Sequence, residues 1–363
     1  MKTILVTGAA GFIGSKLTAT LVERGDRVVG VDNFDAATDA GLKHARVQSL
    51  MPGAEHPVMP GPDLSRHSGL DPESRRECTA KRAQSLIRNL DITDKPSLDA
   101  LFAQEHFDTV VHLAAQAGVR YSATHPYECL QNNVTGFLNV LEACRSHGVG
   151  HLVFASSSSV YGADARTPFS EDERADRPVS LYSATKRADE LMAHAYSQLY
   201  GLQATGLRFF TVYGPWGRPD MAPMLFARAI MAGEPIDVFN GGDMLRDFTY
   251  IDDVVEGIVR VMDKAPAAGP DPTRHAGPDP ASAPFAIYNI GAGQPVKLLD
   301  FIAELEQALG RPAVKHFLPM QPGDMRATHA DTSALERDFG FKPQVPLREG
   351  LRKFAQWYKT YYG

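Results

Sequence analysis

Cysteine is scarce in this chain. Its 363 residues include three, Cys78, Cys129 and Cys144, an odd number with no metal-ligand spacing. That argues against a disulfide framework and fits a reducing, cytoplasmic setting. No metal site is expected. Long apolar runs are missing too, so no segment is expected to span a membrane. Met1-Lys2-Thr3 leads straight into a strand-like run, so no signal peptide is expected. Basic residues are not in excess. Lys and Arg number 37 against 43 Asp and Glu, a net charge of −6. That leaves no electrostatic footprint for nucleic acid and no polybasic patch for a membrane surface. The remaining balance, 44% apolar and 22% charged, is that of an ordinary globular protein. The length suits one large α/β domain with a smaller lobe.

The N-terminal stretch is the most ordered in pattern. Ile4-Leu5-Val6-Thr7 reads as a buried strand and runs into Gly8-x-x-Gly11-Phe12-Ile13-Gly14. A helix is expected from about Ser15 to Arg24, ended by Gly25. Val28 to Val31 forms the next strand, ending at Asp32 and Asn33. Glycines permit a tight turn and close backbone approach, and the helix N-terminus offers free N–H groups to a pyrophosphate. A carboxylate at Asp32 accepts from ribose hydroxyls and repels a 2′-phosphate, which favours NAD over NADP.

Two stretches break the rhythm. Residues 51–82 carry Pro and Gly clusters and no sustained period, and 265–284 is rich in Ala, Pro, Gly and Asp. They share a pattern: Arg66-His67-Ser68-Gly69-Leu70-Asp71-Pro72-Glu73-Ser74 against Arg274-His275-Ala276-Gly277-Pro278-Asp279-Pro280-Ala281-Ser282. A paired binding loop is one reading. The same extraneous segment lodged twice in tolerant surface loops is the favoured one. His67 and His275 are therefore poor metal candidates.

Between and beyond them the strand–helix alternation resumes. Asp91-Ile92-Thr93 opens with a carboxylate suited to an adenine amino group, then a helix runs to about Glu105. Thr109 to Leu113 is a buried strand ending in Ala114 and Ala115, small enough to let a cofactor lie close. His112 within it reads as a packed core residue. Asn132 to His147 has helical period, with Val134, Phe137, Leu138 and Leu141 on one face. His151 to Ala155 is the strand that delivers Ser156-Ser157-Ser158-Ser159, and Leu207 to Phe210 is another. The alternation predicts a Rossmann-type doubly wound parallel sheet. Tyr182 and Lys186, four apart on a helix to about Tyr200, project from one face. An ammonium beside a phenol favours phenolate, so the tyrosine can take a proton from a sugar hydroxyl near neutral pH. Alone, that spacing is ordinary; beside the glycine loop it gains weight.

Taken together, these motifs resemble the extended short-chain dehydrogenase/reductase superfamily, in its nucleotide-sugar branch. The resemblance rests on the glycine loop, the serine run before Tyr161-Gly162, Tyr182-x-x-x-Lys186 and Arg208-Phe209-Phe210. Gly214-Pro215-Trp216-Gly217-Arg218-Pro219-Asp220, Arg246-Asp247-Phe248-x-Tyr250 and Pro322-Gly323-Asp324 add to it. Thr211-Val212-Tyr213-Gly214-Pro215-Trp216 and Leu318-Pro319-Met320-Gln321-Pro322-Gly323-Asp324 are most similar to UDP-glucuronate 4-epimerases. The resemblance implies Tyr182 as base, Lys186 as its tuner and the ligand of the nicotinamide ribose, and Ser157 as the helper at the reacting hydroxyl. It implies NAD held by Gly8, Gly11, Phe12, Ile13 and Gly14, by Asp32 and Asn33, and by Asp91 and Ile92. Leu113, Ala114, Ala115 and Phe209 complete that set. Ser158, Ser159 and Thr211 are expected around the sugar, Arg218 and Arg246 at the diphosphate, and Asp324 at the uridine ribose. Gln321 stands where many sugar epimerases carry Arg. Residues 1–213 form the expected NAD-binding domain. Residues 214–363 are mainly a substrate lobe, from which 252–262 and 287–290 return to the main domain.

The implied reaction is 4-epimerisation of a UDP-sugar through a 4-keto intermediate, foremost UDP-glucuronate to UDP-galacturonate. Related dehydratases carry an Asp-Glu pair where Ser158-Ser159 stand, and decarboxylases carry Glu at the second position, so both are disfavoured. A neutral UDP-hexose epimerase, a net dehydrogenase and a non-catalytic NAD-binding scaffold are the alternatives. A homodimer is implied, packed through the helices around 132–147 and 182–200.

Overall fold

The computed structural model describes residues 1–35, 40–50, 86–163, 166–267, 283–321 and 324–363. The irregular stretch at 51–82, most of 265–284, both histidines weighed there, and Pro322-Gly323 lie outside the described residues.

Strands β1 (Thr3–Thr7), β2 (Arg27–Asp32), β3 (Ile87–Asn89), β4 (Thr109–His112), β5 (His151–Ser157) and β6 (Ala204–Phe209) join Phe285–Ile290 in one seven-stranded sheet. Its order is Phe285–Ile290, β6, β5, β4, β1, β2, β3. All its pairings are parallel. The order reverses between β1 and β4, which opens a crevice at the carboxyl ends of these two strands.

Alternation along the strands builds two cores. Leu5, Val29, Val110 and Leu152 meet Leu98, Phe102, Phe137 and Val140 on one face. Ile4, Val28, Val111 and Val153 meet Leu17, Leu21, Val254 and Ile258 on the other. Both faces are thus sealed by helices, as a parallel sheet requires.

The first helix starts at Phe12, three residues before the expected Ser15. The loop needs no run-in, because Gly11 already caps the helix and accepts the Ser15 N–H. The 132–147 segment also departs from a plain helix. Gln131–Thr135 is a π-turn that leads into Gly136–Ser146. Within Gly136–Ser146 the buried stripe runs through Phe137, Val140, Leu141 and Cys144. Leu138, expected on the same face as Phe137 and Leu141, lies about 100° round the helix from Phe137 and is exposed.

Beyond β6 the chain builds small satellites. Thr211–Tyr213 pairs with Phe248–Tyr250, Leu245–Arg246 with Val296–Lys297, and Pro235–Phe239 with Val314–Leu318. Ile251–Asp263 packs back against the Phe12–Arg24 helix.

The helix Leu181–Tyr200 runs against the middle of the sheet. Ser180 caps its start by accepting the Ser183 N–H, and Gly201 ends it in the left-handed region. Glu190, fully buried on this helix, takes both arms of the Arg208 guanidinium at 2.9 Å each. It also accepts from Ser156 at 2.6 Å and Arg187 at 2.8 Å. Arg208 lies over the Tyr161 ring, whose hydroxyl donates to Asn289 Oδ1 at 2.7 Å. One ionic network therefore fastens helix, β5, β6 and the Phe285–Ile290 strand together. Glu190→Ala would strand a buried guanidinium, and the expected destabilisation is about 3–5 kcal/mol. Urea unfolding measures it, and a loss below about 1 kcal/mol, the range of an exposed pair, would refute this reading.

Candidate active site

The crevice edge collects the expected residues because they follow strand ends. Gly8 follows β1, Asp32 ends β2, and Ala114 and Ala115 follow β4. Ser157 ends β5 and stands in register with Phe209, the last residue of β6. Thr211 begins the next short strand. Parallel strands bring all of these to one side of the sheet.

The glycine loop is closely cradled. Gly8 has φ +69°, and a Cβ there would lie 2.8 Å from the Ala114 nitrogen. At Gly14 a Cβ would meet the Gly8 carbonyl oxygen at 2.1 Å. No side chain fits at either position. Phe12, Ile13 and Gly14 form the first turn of a helix with no side-chain cap on its N–H groups, which leaves them for an anion.

Asp32 is buried and held. Its carboxylate accepts the Ala10 N–H at 3.1 Å, the Phe34 N–H at 2.8 Å and the Lys43 ammonium at 2.9 Å. Lys43 was not foreseen. It arrives from the helix Ala40–Ser49, and nothing in the spacing of an isolated lysine announces an ion pair. Arg46, one turn on, donates to the carbonyls of Ala10, Trp216 and Gly217. Asn33 donates to Asp91 at 3.0 Å. Burial works against the Asp91 carboxylate, but Asn33 and the Thr93 N–H and hydroxyl outweigh it and keep its pKa below the usual range. Asp91 lines a cleft of about 540 Å³ with Thr93, Tyr127 and Gln131. Ile92 lies buried beside it.

Ser157 receives two donors from Ser159, its N–H at 3.2 Å and its hydroxyl at 2.9 Å. With its lone pairs engaged, the Ser157 hydroxyl is left to donate. Ser158 and Thr211 are half-buried at the same edge. Tyr182 is tied at its backbone N–H to Ser122 Oγ at 3.2 Å. Lys186 is sealed, donating to the Ala155 carbonyl at 3.1 Å and to Asp189 Oδ2 at 3.0 Å. Burial opposes its ammonium, yet Asp189 and Tyr182 more than offset that and raise its pKa. Asp189 was also missed. Three residues from Lys186 is the spacing of a helical ion pair, and that was the available signal.

His112 is packed, as expected. It shares a 2.8 Å hydrogen bond with the Thr7 hydroxyl, and burial, helped by Lys186, lowers its pKa to about 3. Arg218 pairs with Asp220 at 2.6 Å and donates to the Ala117 carbonyl. Arg246 and Asp324, assigned to different parts of the substrate, meet each other at 3.4 Å. Asp247, between Arg246 and Phe248, is fully buried and accepts the N–H groups of Ala292, Gly293 and Ala330. It knits three loops and so positions Arg246. Among the described residues no group of three His, Cys, Asp or Glu side chains could hold a metal.

The glycine cradle, the open helix terminus and the buried carboxylate at the end of β2 fit a dinucleotide, and likeness to known proteins agrees. Residues 4–291 match the NAD dependent epimerase/dehydratase family.

The chain belongs to that family.

UDP-glucuronate 4-epimerase 3 of Arabidopsis thaliana is 42% identical over 364 residues, covering 99% of this chain and 77% of that protein. The UDP-glucuronic acid 4-epimerase of Bacillus cereus, solved with UDP-glucuronic acid and NAD, superposes with a TM-score of 0.79 at 32% identity. It covers 98% of this chain and 99% of that one. The UDP-glucose 4-epimerase of Thermotoga maritima, solved with UDP-glucose, gives 0.78 at 26% identity over 99% of this chain and 100% of that one.

Proposed function

We propose that the chain is an NAD-dependent 4-epimerase that interconverts UDP-glucuronate and UDP-galacturonate. One observation carries the reading. Tyr182 and Lys186 lie one turn apart beside the carboxyl end of β5, where Ser157 is left as a donor and Ser158-Ser159 supply no carboxylate. NAD supplies a hydride acceptor and donor and ends each turnover unchanged. Tyr182, as phenolate, takes the O4 proton and later returns it. Ser157 donates to the same oxygen and steadies it. The flat 4-keto sugar turns over between the two proton transfers. Arg218 and Arg246 take the diphosphate, since a guanidinium fork matches phosphate oxygens, and Asp324 accepts from the uridine ribose. Residues 214–363 then act mainly as the substrate lobe, carried on the NAD-binding part.

The acid substrate brings a hazard. A 4-keto glucuronate is a β-keto acid, and it loses carbon dioxide when the C5–C6 bond aligns with the ketone π system. Ser158 and Thr211 are neutral donors at the site edge. We assign them to holding the carboxylate out of that alignment.

Of the described residues, no helix is long and apolar enough to cross a membrane. Cys129 and Cys144 are free and buried, which suits a reducing compartment, so we place the enzyme in the cytoplasm. Leu138, Leu191 and Leu199 are exposed on Gly136–Ser146 and Leu181–Tyr200. Those leucines suit a four-helix contact between two copies.

Fed UDP-glucuronate, the protein is expected to form UDP-galacturonate with no net absorbance change from NADH. Tyr182→Phe should lose roughly 100- to 10,000-fold in kcat. Turnover of UDP-glucose with none of UDP-glucuronate, followed by NMR, would favour the neutral-hexose alternative. Ser158→Ala with Thr211→Ala is expected to release a UDP-pentose, and its absence with epimerisation unchanged removes the carboxylate-holding role. Light scattering should give twice the chain mass, whereas a monomer at assay concentration sinks the dimer.

A further inference from the structure

We propose that Asp189 is a positioning residue that keeps Lys186 an ammonium while Tyr182 carries the sugar proton. This rests on the reading of Tyr182 and Lys186 as the catalytic pair. The need is electrostatic. The Lys186 side chain is 1% exposed, and a buried ammonium without a counter-charge favours its neutral form. Tyr182 supplies negative charge only as phenolate. Once it has taken a proton it is neutral, and every turnover passes through that condition. A lysine that lost its proton there could not help the phenol give its own back.

Asp189 is placed to provide a permanent counter-charge. Its Oδ2 lies 3.0 Å from Nζ, and its side chain is equally sealed, at 1% exposure. The Ala155 carbonyl, 3.1 Å away, fixes the ammonium from the sheet side. The other titratable neighbours are silent or already matched. From β4, His112 is neutral at physiological pH, its pKa lowered to about 3 by burial and by Lys186. From the helix Pro126–Leu130, the Cys129 thiol is raised by burial and stays protonated. On the tyrosine helix itself, Glu190 is committed to Arg208, Arg187 and Ser156. Among the described groups facing Lys186, Asp189 is the anion left to it.

The carboxylate is not at ease there. Its second oxygen, Oδ1, is buried without a hydrogen-bond partner, which a carboxylate held for packing alone would not tolerate cheaply. Burial lifts its pKa to about 6 against the pull of Lys186. It is therefore ionised at neutral pH and begins to fail as a counter-ion on acidification. Replacing it with a neutral group removes what holds the Lys186 proton, so the lysine deprotonates at lower pH. The alkaline limb of the activity profile must then move toward acid.

Asp189→Asn keeps the shape and an acceptor toward Nζ and removes the charge. The test measures kcat/KM for UDP-glucuronate from about pH 5.5 to about pH 9, for wild type, Asp189→Asn and Tyr182→Phe. NAD released on denaturation is measured for each, to show that the proteins are folded and loaded. The alkaline limb of Asp189→Asn should sit about one pH unit or more below that of wild type, with activity recovering as the pH is lowered. Loss by one factor at every pH, with the limb unmoved, overturns the proposal. Should Asp189→Asn fail to load NAD, Asp189→Ser, which leaves room for a water, is read the same way. Wild-type activity in Tyr182→Phe would bring down the catalytic pair and this proposal with it. An inactive Tyr182→Phe with an unmoved Asp189→Asn limb brings down this proposal alone.

Discussion

Charge buried beneath the helix Leu181–Tyr200 is the constraint on which the rest of the architecture depends. Lys186 and Glu190 lie one turn apart and both face the sheet, and neither has access to water. Each must be paired, because an isolated ion inside a protein is far costlier than any local packing gain. Asp189 and Ala155 answer Lys186, and Arg208 answers Glu190 from β6. These bonds are directional. They set the height and rotation of the helix against β5 and β6 more tightly than apolar packing could. The phenol of Tyr182 inherits its place from them.

A second constraint works from the opposite side of the crevice. The turn after β1 packs on the backbone after β4, so Gly8 and Ala114 approach within contact distance. Thr7 ties the same two strands, accepting the Ala114 N–H at 3.1 Å and sharing a hydrogen bond with His112. The dinucleotide cradle and the tyrosine helix are thus both fixed to one sheet, the first at the ends of β1 and β4 and the second on β5 and β6. The loops beyond β6 are held differently, by a buried anchor: Asp247 collects three backbone donors from loops far apart in sequence.

Much of this was legible beforehand, and the legible part shares a cause. Strand β1, the glycine loop and Asp32 follow one another within a few dozen residues, so their pattern is local and shows in spacing. The same holds for the tyrosine helix, whose Ser180 cap and Gly201 stop bracket it. Leu138 shows where local pattern fails. The apolar period suggested an inward leucine, but the buried stripe runs through Phe137, Val140, Leu141 and Cys144 and leaves it outside. The π-turn at Gln131–Thr135 was not legible either, because its partners are tertiary: Asn133 is buried between the Gln116 backbone and Thr185. Lys43 and Asp189 were missed for a related reason. A charged residue on a helix reads as solvated until its neighbours are known.

The sequence by itself determined the class of fold, the dinucleotide loop, the tyrosine–lysine spacing and the absence of a carboxylate at Ser158-Ser159, because each is written in consecutive or helically spaced residues. Only the tertiary structure decided which ions are buried together: Lys43 on Asp32, Asp189 on Lys186, Arg208 on Glu190, Arg246 beside Asp324. Pairing energies depend on distance and burial in three dimensions, and those quantities arise only when elements remote in the chain are brought face to face.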